Sequence, residues 1–283
     1  MMDKKTGIVI PCLNQGEYME EAILSVIANK KHADIELVVM DGGSTDQTLS
    51  IIKKYEADIS FWHSGPDGGQ AAALNRGFQI SGSCRYLMWL NADDVYEDAY
   101  SVKKIVDFAD ENGYEVCYGL SHFMDAQGRI TGEYPVEPFD RRALGDHCYL
   151  SQPAVLFSRR AYEKTGPLNE KLQMCLDYEY WIRLARKYEF GWIQEYIAAT
   201  RMHAQTKTAT MQAVHVKEAI AVLQQYYGRV PVHWAVTKAL TEHPQKLLHA
   251  IPRRLLMGLL YPWKAKIIRD CLKNVKDTEE KTK

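Results

Sequence analysis

Two apolar runs that stop abruptly at acids constrain this chain more than any other feature. Glu36-Leu37-Val38-Val39-Met40 runs into Asp41-Gly42-Gly43-Ser44-Thr45-Asp46, and Tyr86-Leu87-Met88-Trp89-Leu90 runs into Asn91-Ala92-Asp93-Asp94. A strand covered on both faces reads as a short continuous apolar run. Each run is therefore expected to be a buried parallel strand with carboxylates at its carboxyl end. In open α/β sheets, ligands bind in the crevice beyond those ends. Adjacent carboxylates there can hold a divalent cation against phosphate oxygens, which points to a ligand that carries a diphosphate.

The pattern around these runs supports such a sheet. Strands are predicted over 7–10, 35–40, 59–63 and 86–90, with helices over 18–28 and 70–80. Met19, Ile23, Val26 and Ile27 mark the inner face of the first helix. Ser44, with Gln47 three residues on, has the form of a capping box for a helix running through Leu49, Ile51 and Ile52. Alternating strand and helix argues for an α/β fold with a mostly parallel central sheet flanked by helices. Further on, a helix is expected over 99–111, and extended segments over 116–120, 122–125, 153–157, 191–193 and 198–202. A helix is predicted from about Asp177 to Lys187, and the chain beyond 206 reads as mostly helical.

Composition excludes several classes. The chain has 283 residues with 46% hydrophobic content, ordinary for a globular protein with a sizeable core. The net charge of −1 conceals an asymmetry: residues 206–283 hold 14 Lys+Arg against 6 Asp+Glu, and residues 1–205 hold 21 against 30. An acidic body with a basic tail suggests different partners for each, and no nucleic-acid partner is expected. The six cysteines show no Cys-x-x-Cys pair and are expected to be buried thiols. No run approaches the ~20 apolar residues of a bilayer span, so a cytoplasmic location is expected. A dinucleotide site is excluded by the lack of Gly-x-Gly-x-x-Gly after any predicted strand. The absence of Lys and Arg from residues 11–17 argues against a nucleotidyltransferase triphosphate loop.

Four groups of residues carry candidate chemistry. Asp93 and Asp94 suit a divalent cation, although paired acids also occur at helix N-termini for the sake of the dipole. Asp41, with room left by Gly42 and Gly43, can accept from a nucleobase imide N–H or satisfy its own loop; Asn14 and Glu17 can line the same crevice. Asp177, Trp181 and Leu184 share a helical face, so Asp177 sits at the edge of a core stripe as a general base or an N-cap. His203 can complete a carboxylate–diphosphate metal site or be structural.

Taken together, these residues resemble the inverting family-two nucleotide-sugar glycosyltransferases of the GT-A fold. The resemblance covers roughly 6–206. It rests on Pro11-Cys12-Leu13-Asn14, the 41–46 acid loop, Asp67-Gly68-Gly69-Gln70, Ala73-Leu74-Asn75-Arg76-Gly77, Leu90 through Asp94, Gln152-Pro153-Ala154, Asp177 through Arg183 and Arg201-Met202-His203. It implies a catalytic domain over 1–206, with a nucleotide-binding half to 95 and an acceptor-binding half from 96, and a helical extension over 207–283. It further implies that Asp41 binds the nucleobase with Asn14 and Asp67 nearby, and that Pro11, Glu17, Gly69 and Asn75 belong to the same donor pocket. Asp93 would meet the ribose or sugar, Asp94 would be the principal ligand to Mn²⁺ or Mg²⁺, and His203 a further metal or diphosphate contact. Asp177 matches the base that deprotonates an acceptor hydroxyl. Many members carry an acid immediately before that base, whereas this chain has Leu176, which leaves Glu179 as an alternative.

The implied partners are a nucleotide-sugar donor, with a lean toward uridine, and a glycan or lipid-linked saccharide acceptor, as in surface polysaccharide assembly. In the tail, residues 251–266 mix Arg253, Arg254, Lys264 and Lys266 with an apolar, aromatic stretch. That composition suits the face of an anionic membrane. Packing against the catalytic body or a second subunit, as in a homodimer, accounts for it equally well.

Overall fold

The computed structural model describes residues 5–242. The chain divides into two compact units, Met1–His203 and Ala204–Lys283. Among the described residues the first unit holds one sheet of nine strands: β1 (Thr6–Cys12), β2 (Ile35–Asp41), β3 (Phe61–Ser64), β4 (Tyr86–Trp89), β5 (Val95–Tyr96), β6 (Val116–Met124), β7 (Ile130–Glu133), β8 (Val155–Ser158) and β9 (Phe190–Arg201). The order is β3-β2-β1-β4-β8-β6-β9-β5, with β7 also pairing β6. Strands β1 to β4 are mutually parallel where they pair. Beyond β4 the sheet becomes mixed, so the parallel character inferred from the sequence belongs to the first half.

Strand direction fixes where a ligand can sit. β8 runs antiparallel to both β4 and β6, and β9 runs parallel to β6. β6 and β9 therefore point the same way as β4. The carboxyl ends of β1, β2, β3, β4, β6 and β9 all reach one edge of the sheet, and β8 starts there. The two extended segments expected over 116–125 are one strand, β6, and those over 191–202 are one strand, β9. Register shifts near Leu120 absorb the mismatch between them. Gly119 lies at this irregularity, where a Cβ would stand 2.3 Å from Ile197 Cγ1.

Helices cover both faces. α1 (Met19–Lys30) buries Met19, Ala22, Ile23 and Val26, and α4 (Ser101–Asn112) buries Val102, Ile105, Val106 and Ala109, each an i, i+3, i+4, i+7 stripe. They share a core with Ile8, Ile10, Leu37, Val39 and Met88. The opposite face carries α3 (Gln70–Ile80), α5 (Arg159–Thr165) and α6 (Leu176–Ala185) on an aromatic cluster. Trp89 of β4 stacks on Trp181 of α6 with ring centroids 5.2 Å apart, and Phe78 and Phe157 meet them edge-on. Pro11 interrupts no ladder, because β4 stops pairing with β1 at Val9. Cys12, Cys84, Cys117 and Cys175 are buried thiols; burial pushes those of Cys84 and Cys117 up to about 12.

The helix after β2 begins later than its sequence suggests. α2 spans Thr48–Lys54, and Ser44 is not its cap. The Ser44 hydroxyl instead donates to the Asp41 carboxylate, and Asp46 accepts the Thr48 N–H at 2.9 Å. A hydrogen bond to an ionised carboxylate outweighs a neutral cap.

The second unit contains α7 (Lys207–Thr210), capped by the Thr206 hydroxyl, then α8 (Gln212–Tyr227) and α9 (Val232–Glu242). α8 ends at Gly228 in the left-handed conformation, and His215 meets Trp234 edge-on. No helix among the described residues is long and apolar enough to cross a membrane. The 251–266 segment lies outside the described residues.

Gly77 lets α3 seat on β1. A Cβ there would lie 2.5 Å from Cγ1 of Val9, which is fully buried. Gly77→Ala gains about 1 kcal/mol of helix propensity, but overpacking costs about 1–3 kcal/mol. The expected net effect on urea unfolding is a loss of up to about 2 kcal/mol; a higher midpoint would show that α3 moves freely off the sheet.

Candidate active site at the carboxyl edge

Three loops are laced together at one end of this edge. Asp41 is the last residue of β2 and is 1% exposed. Its carboxylate accepts from the Ser44 N–H at 3.0 Å, the Ser44 hydroxyl and the Ser64 hydroxyl at 2.6 Å. Asn14, at φ 53°, accepts the Thr45 N–H at 2.9 Å, and its own N–H donates to Ser44 Oγ at 2.7 Å. Asp46 draws in the Gly16 N–H at 2.9 Å. Burial alone would raise the Asp46 pKa, but the donors from Thr48 and Gly16 outweigh it and hold the group below the usual carboxylate range. Asp67 reaches the same place from the β3–α3 loop: a Cβ on Gly42 would stand 3.2 Å from Asp67 Oδ2. Its other oxygen accepts the N–H of Gly69, which takes φ 106° to open α3.

A second cluster forms where β4 and β9 end. His203 Nε2 lies 3.2 Å from Asp93 Oδ2, and the Asp93 side chain is partly exposed. Asp94 behaves differently. It is 2% exposed, and its oxygens accept the Arg201 N–H at 2.9 Å and the Asn91 amide at 3.0 Å. Burial and the neighbouring Asp93 charge push its pKa well above the usual range, against the opposing donors from Arg201 and Asn91. Asp94 is therefore the interior member of the pair and Asp93 the partly exposed one. An interior carboxylate whose oxygens both accept protein donors braces the turn, and its half-exposed neighbour faces the crevice.

Other polar groups tie the two clusters. Gln70 at the start of α3 donates to Asn91 Oδ1 at 2.9 Å, and Gln152 bridges the Asn91 amide and the Trp89 carbonyl. Tyr18 lies between Arg201 and His203. The guanidinium is 4.8 Å and the imidazole 4.6 Å from the centre of its ring. Burial and a hydrogen bond to exposed Glu17 raise the Tyr18 pKa.

Two expected donor-pocket residues are buried in the protein's own packing. Pro11 is buried within β1 opposite Met40. Asn75 is 4% exposed, and its amide donates to the Leu168 carbonyl at 3.0 Å and to Glu170 at 2.9 Å. Its oxygen accepts the Leu168 N–H, so the side chain pins the 168–170 segment to α3. A polar side chain on the buried stripe of a helix must find protein partners, and this one has them.

Asp177 occupies the first turn of α6, one turn before the Trp181 ring that stacks on Trp89, and is half-buried. Glu179 is 3% exposed, and both its oxygens accept from Arg183 Nε, at 2.8 and 3.0 Å. The same guanidinium holds the Thr165 and Pro167 carbonyls. Glu179 is thus committed to a buried ion pair, which leaves Asp177 as the carboxylate of this helix suited to proton transfer.

Among the described residues no three His, Cys, Asp or Glu side chains converge on one point. Asp93 and His203 nonetheless suit Mn²⁺ or Mg²⁺, because such ions commonly take one or two carboxylates and complete their shell with water and substrate phosphates. Arg201, Tyr18, Asn91 and Gln152 are the residues that the site-by-site reading of the sequence did not assign a role. Asn91, Gln152 and Arg201 lie within motifs that carry the family resemblance, which was the available signal; Tyr18 had none.

The chain matches the model of "Glycosyl transferase family 2" over residues 7–166. An uncharacterised glycosyltransferase of Rickettsia prowazekii is 30% identical over 218 residues, covering 72% of this chain and 66% of that protein. A "PGL/p-HBAD biosynthesis glycosyltransferase" of Mycobacterium bovis is 29% identical over 181 residues, covering 62% of this chain and 68% of that protein. The chain thus spans about two thirds of these relatives, and 34% of a longer uncharacterised glycosyltransferase of Rickettsia felis. Among solved structures, S. aureus TarS 1–349 in complex with UDP-GlcNAc is similar with a TM-score of 0.61 at 16% identity, covering 84% of this chain and 76% of that one. The mannosyltransferase PcManGT of Pyrobaculum calidifontis, in complex with GDP-Man and Mn²⁺, matches with a TM-score of 0.59 at 15% identity, covering 96% of this chain and 87% of that one. The fold is of the GT-A kind, and the chain belongs to glycosyl transferase family 2.

Proposed function

We propose that this chain is a metal-dependent inverting glycosyltransferase. It moves a sugar from a nucleoside diphosphate donor, a UDP-sugar in our reading, to a hydroxyl of a glycan or lipid-linked saccharide in surface glycan assembly. The observation that carries this reading is the pairing of Asp93 with His203 at the same sheet edge as the Asp41 and Asp67 loops. Two of the similar structures support it, since one is a complex with UDP-GlcNAc and another a complex with GDP-Man and Mn²⁺.

Each residue has a role in this reading. Asp41 braces the base-binding loop through Ser44 and Ser64, and Asp67 with Asn14 and Glu17 lines its rim. The α3 N-terminus, opened by Gly69, faces the donor. Asp93 and His203 would hold the cation, which would neutralise charge on the departing diphosphate. Asp177 takes the proton of the acceptor hydroxyl. The oxygen then bonds to the anomeric carbon as the bond from that carbon to the diphosphate oxygen breaks, and the configuration inverts. Glu179 takes no part; it holds Arg183 and, through it, the 165–167 turn.

Two predictions follow from the assignments. Asp177→Asn should retain nucleotide affinity within about twofold while transfer falls by about 10²–10⁴. Glu179→Gln should lose about 3 kcal/mol of stability by leaving a buried guanidinium without its anion, yet keep its turnover per folded molecule. The reverse pattern, an active Asp177→Asn enzyme beside an inactive but folded Glu179→Gln, would move the base to Glu179. For the class itself, nucleoside diphosphate release should be measured over a panel of UDP- and GDP-sugars with Mn²⁺ or Mg²⁺. Slow release from one donor, abolished by EDTA, is expected; release unaffected by EDTA would remove the metal from the reading.

A further inference from the structure

Arg201 has the form of a hub. Its side chain is fully buried, and it has partners on three separate segments. Nε donates to the Asp93 carbonyl at 2.8 Å, Nη1 to the Ala126 carbonyl at 3.1 Å and the Asp125 carbonyl at 3.4 Å, and Nη2 to Glu21. Its backbone N–H braces Asp94 at 2.9 Å, and its guanidinium lies over Tyr18, whose ring also meets His203. Asp93 and His203 thus share one fixed point. Asp93 is held by its own carbonyl, and His203 is held by chain connectivity and through Tyr18.

We propose that Arg201 is the positioning residue that keeps the Asp93 carboxylate and the His203 imidazole opposed, so that cation affinity depends on the shape of its guanidinium fork and not on its charge. This rests on the donor-site reading above. A lysine keeps the charge but cannot hold Asp93, the 125–126 turn and Glu21 together from one planar group. Groups behind metal ligands set affinity by orienting them, and their loss commonly costs about 10–100-fold.

The molecule supplies its own control. Arg159 is also a guanidinium clamp on backbone carbonyls, with partners at Phe78, Ser81 and Cys84. It follows β8, whose Ser158 pairs with Tyr86, the first residue of β4, so it lies at the opposite end of that strand from the site. Arg159→Lys should therefore lose a guanidinium clamp on three carbonyls without touching Asp93.

The test compares wild type, R201K and R159K by thermal unfolding and by calorimetric binding of UDP and of GDP, each with Mn²⁺ and with EDTA. The expected result is a Kd with Mn²⁺ raised about tenfold or more in R201K only. Binding in EDTA, carried by the 41–44 and 67–69 loops, should stay within about twofold in every variant. Equal losses in both lysine variants, or a loss in R201K that persists in EDTA, would reduce Arg201 to a structural residue. Should R201K not fold, Tyr18→Leu takes its place, removing the ring between Arg201 and His203. It should weaken Mn²⁺-dependent binding several-fold, and unchanged binding would overturn the proposal. Absence of Mn²⁺-dependent binding by the wild-type chain would overturn the donor-site reading and this proposal with it.

Discussion

β8 is inserted antiparallel between β4 and β6, which forces β6 and β9 to run in the same direction as β4. The chemistry at the crevice depends on that reversal. Were β9 to run the other way, the 201–203 segment would emerge at the far edge of the sheet, and His203 would never meet Asp93. As it is, segments more than a hundred residues apart arrive side by side at the place where parallel strands leave backbone groups and helix N-termini for a ligand.

Side by side is not yet organised. The loops beyond a sheet edge are held only by what they bond to, and here the bonds are dense and largely charge-assisted. Asp41 and Asp46 lace the loops after β1 and β2, with Asn14 and Ser44 as cross-ties. Arg201 performs the same service for the loops after β4 and β6 and for α1. Buried polar side chains of this kind require full sets of partners, and Asp94, Glu179 and Arg201 each have them. The acids that remain half-exposed, Asp67, Asp93 and Asp177, are the ones that the proposed reaction uses.

α6 illustrates the division between packing and chemistry. It is buried almost all the way round, as its run of Tyr178, Tyr180, Trp181 and Ile182 requires. The Trp89–Trp181 stack fixes it to the last residue of β4. A helix so immobilised offers its first turn as a rigid platform, and Asp177 stands there. Glu179, two residues further, turns into the same packed interior and is neutralised by Arg183.

Much was legible in the sequence because local pattern determined it. The apolar runs before the Asp41 and Asp93 loops specify strands, the 70–80 helix falls where the sequence places it, and the ordered motifs carry the family. Local pattern failed wherever a side chain had a choice of partners. Ser44 reads as a cap but bonds to Asp41; the spacing likewise did not show that Asn75 ties α3 to the 168–170 segment or that Asp94 is walled in by Arg201 and Asn91. The split between Asp177 and Glu179 was likewise undecidable from spacing, since both begin the same helix. These outcomes depend on which groups lie within about 3 Å across the fold, and hydrogen bonding rewards contact in space whatever the separation in sequence. The sequence determined the sheet, its acids and the family; only the tertiary structure decided which of those acids face the crevice and which brace it.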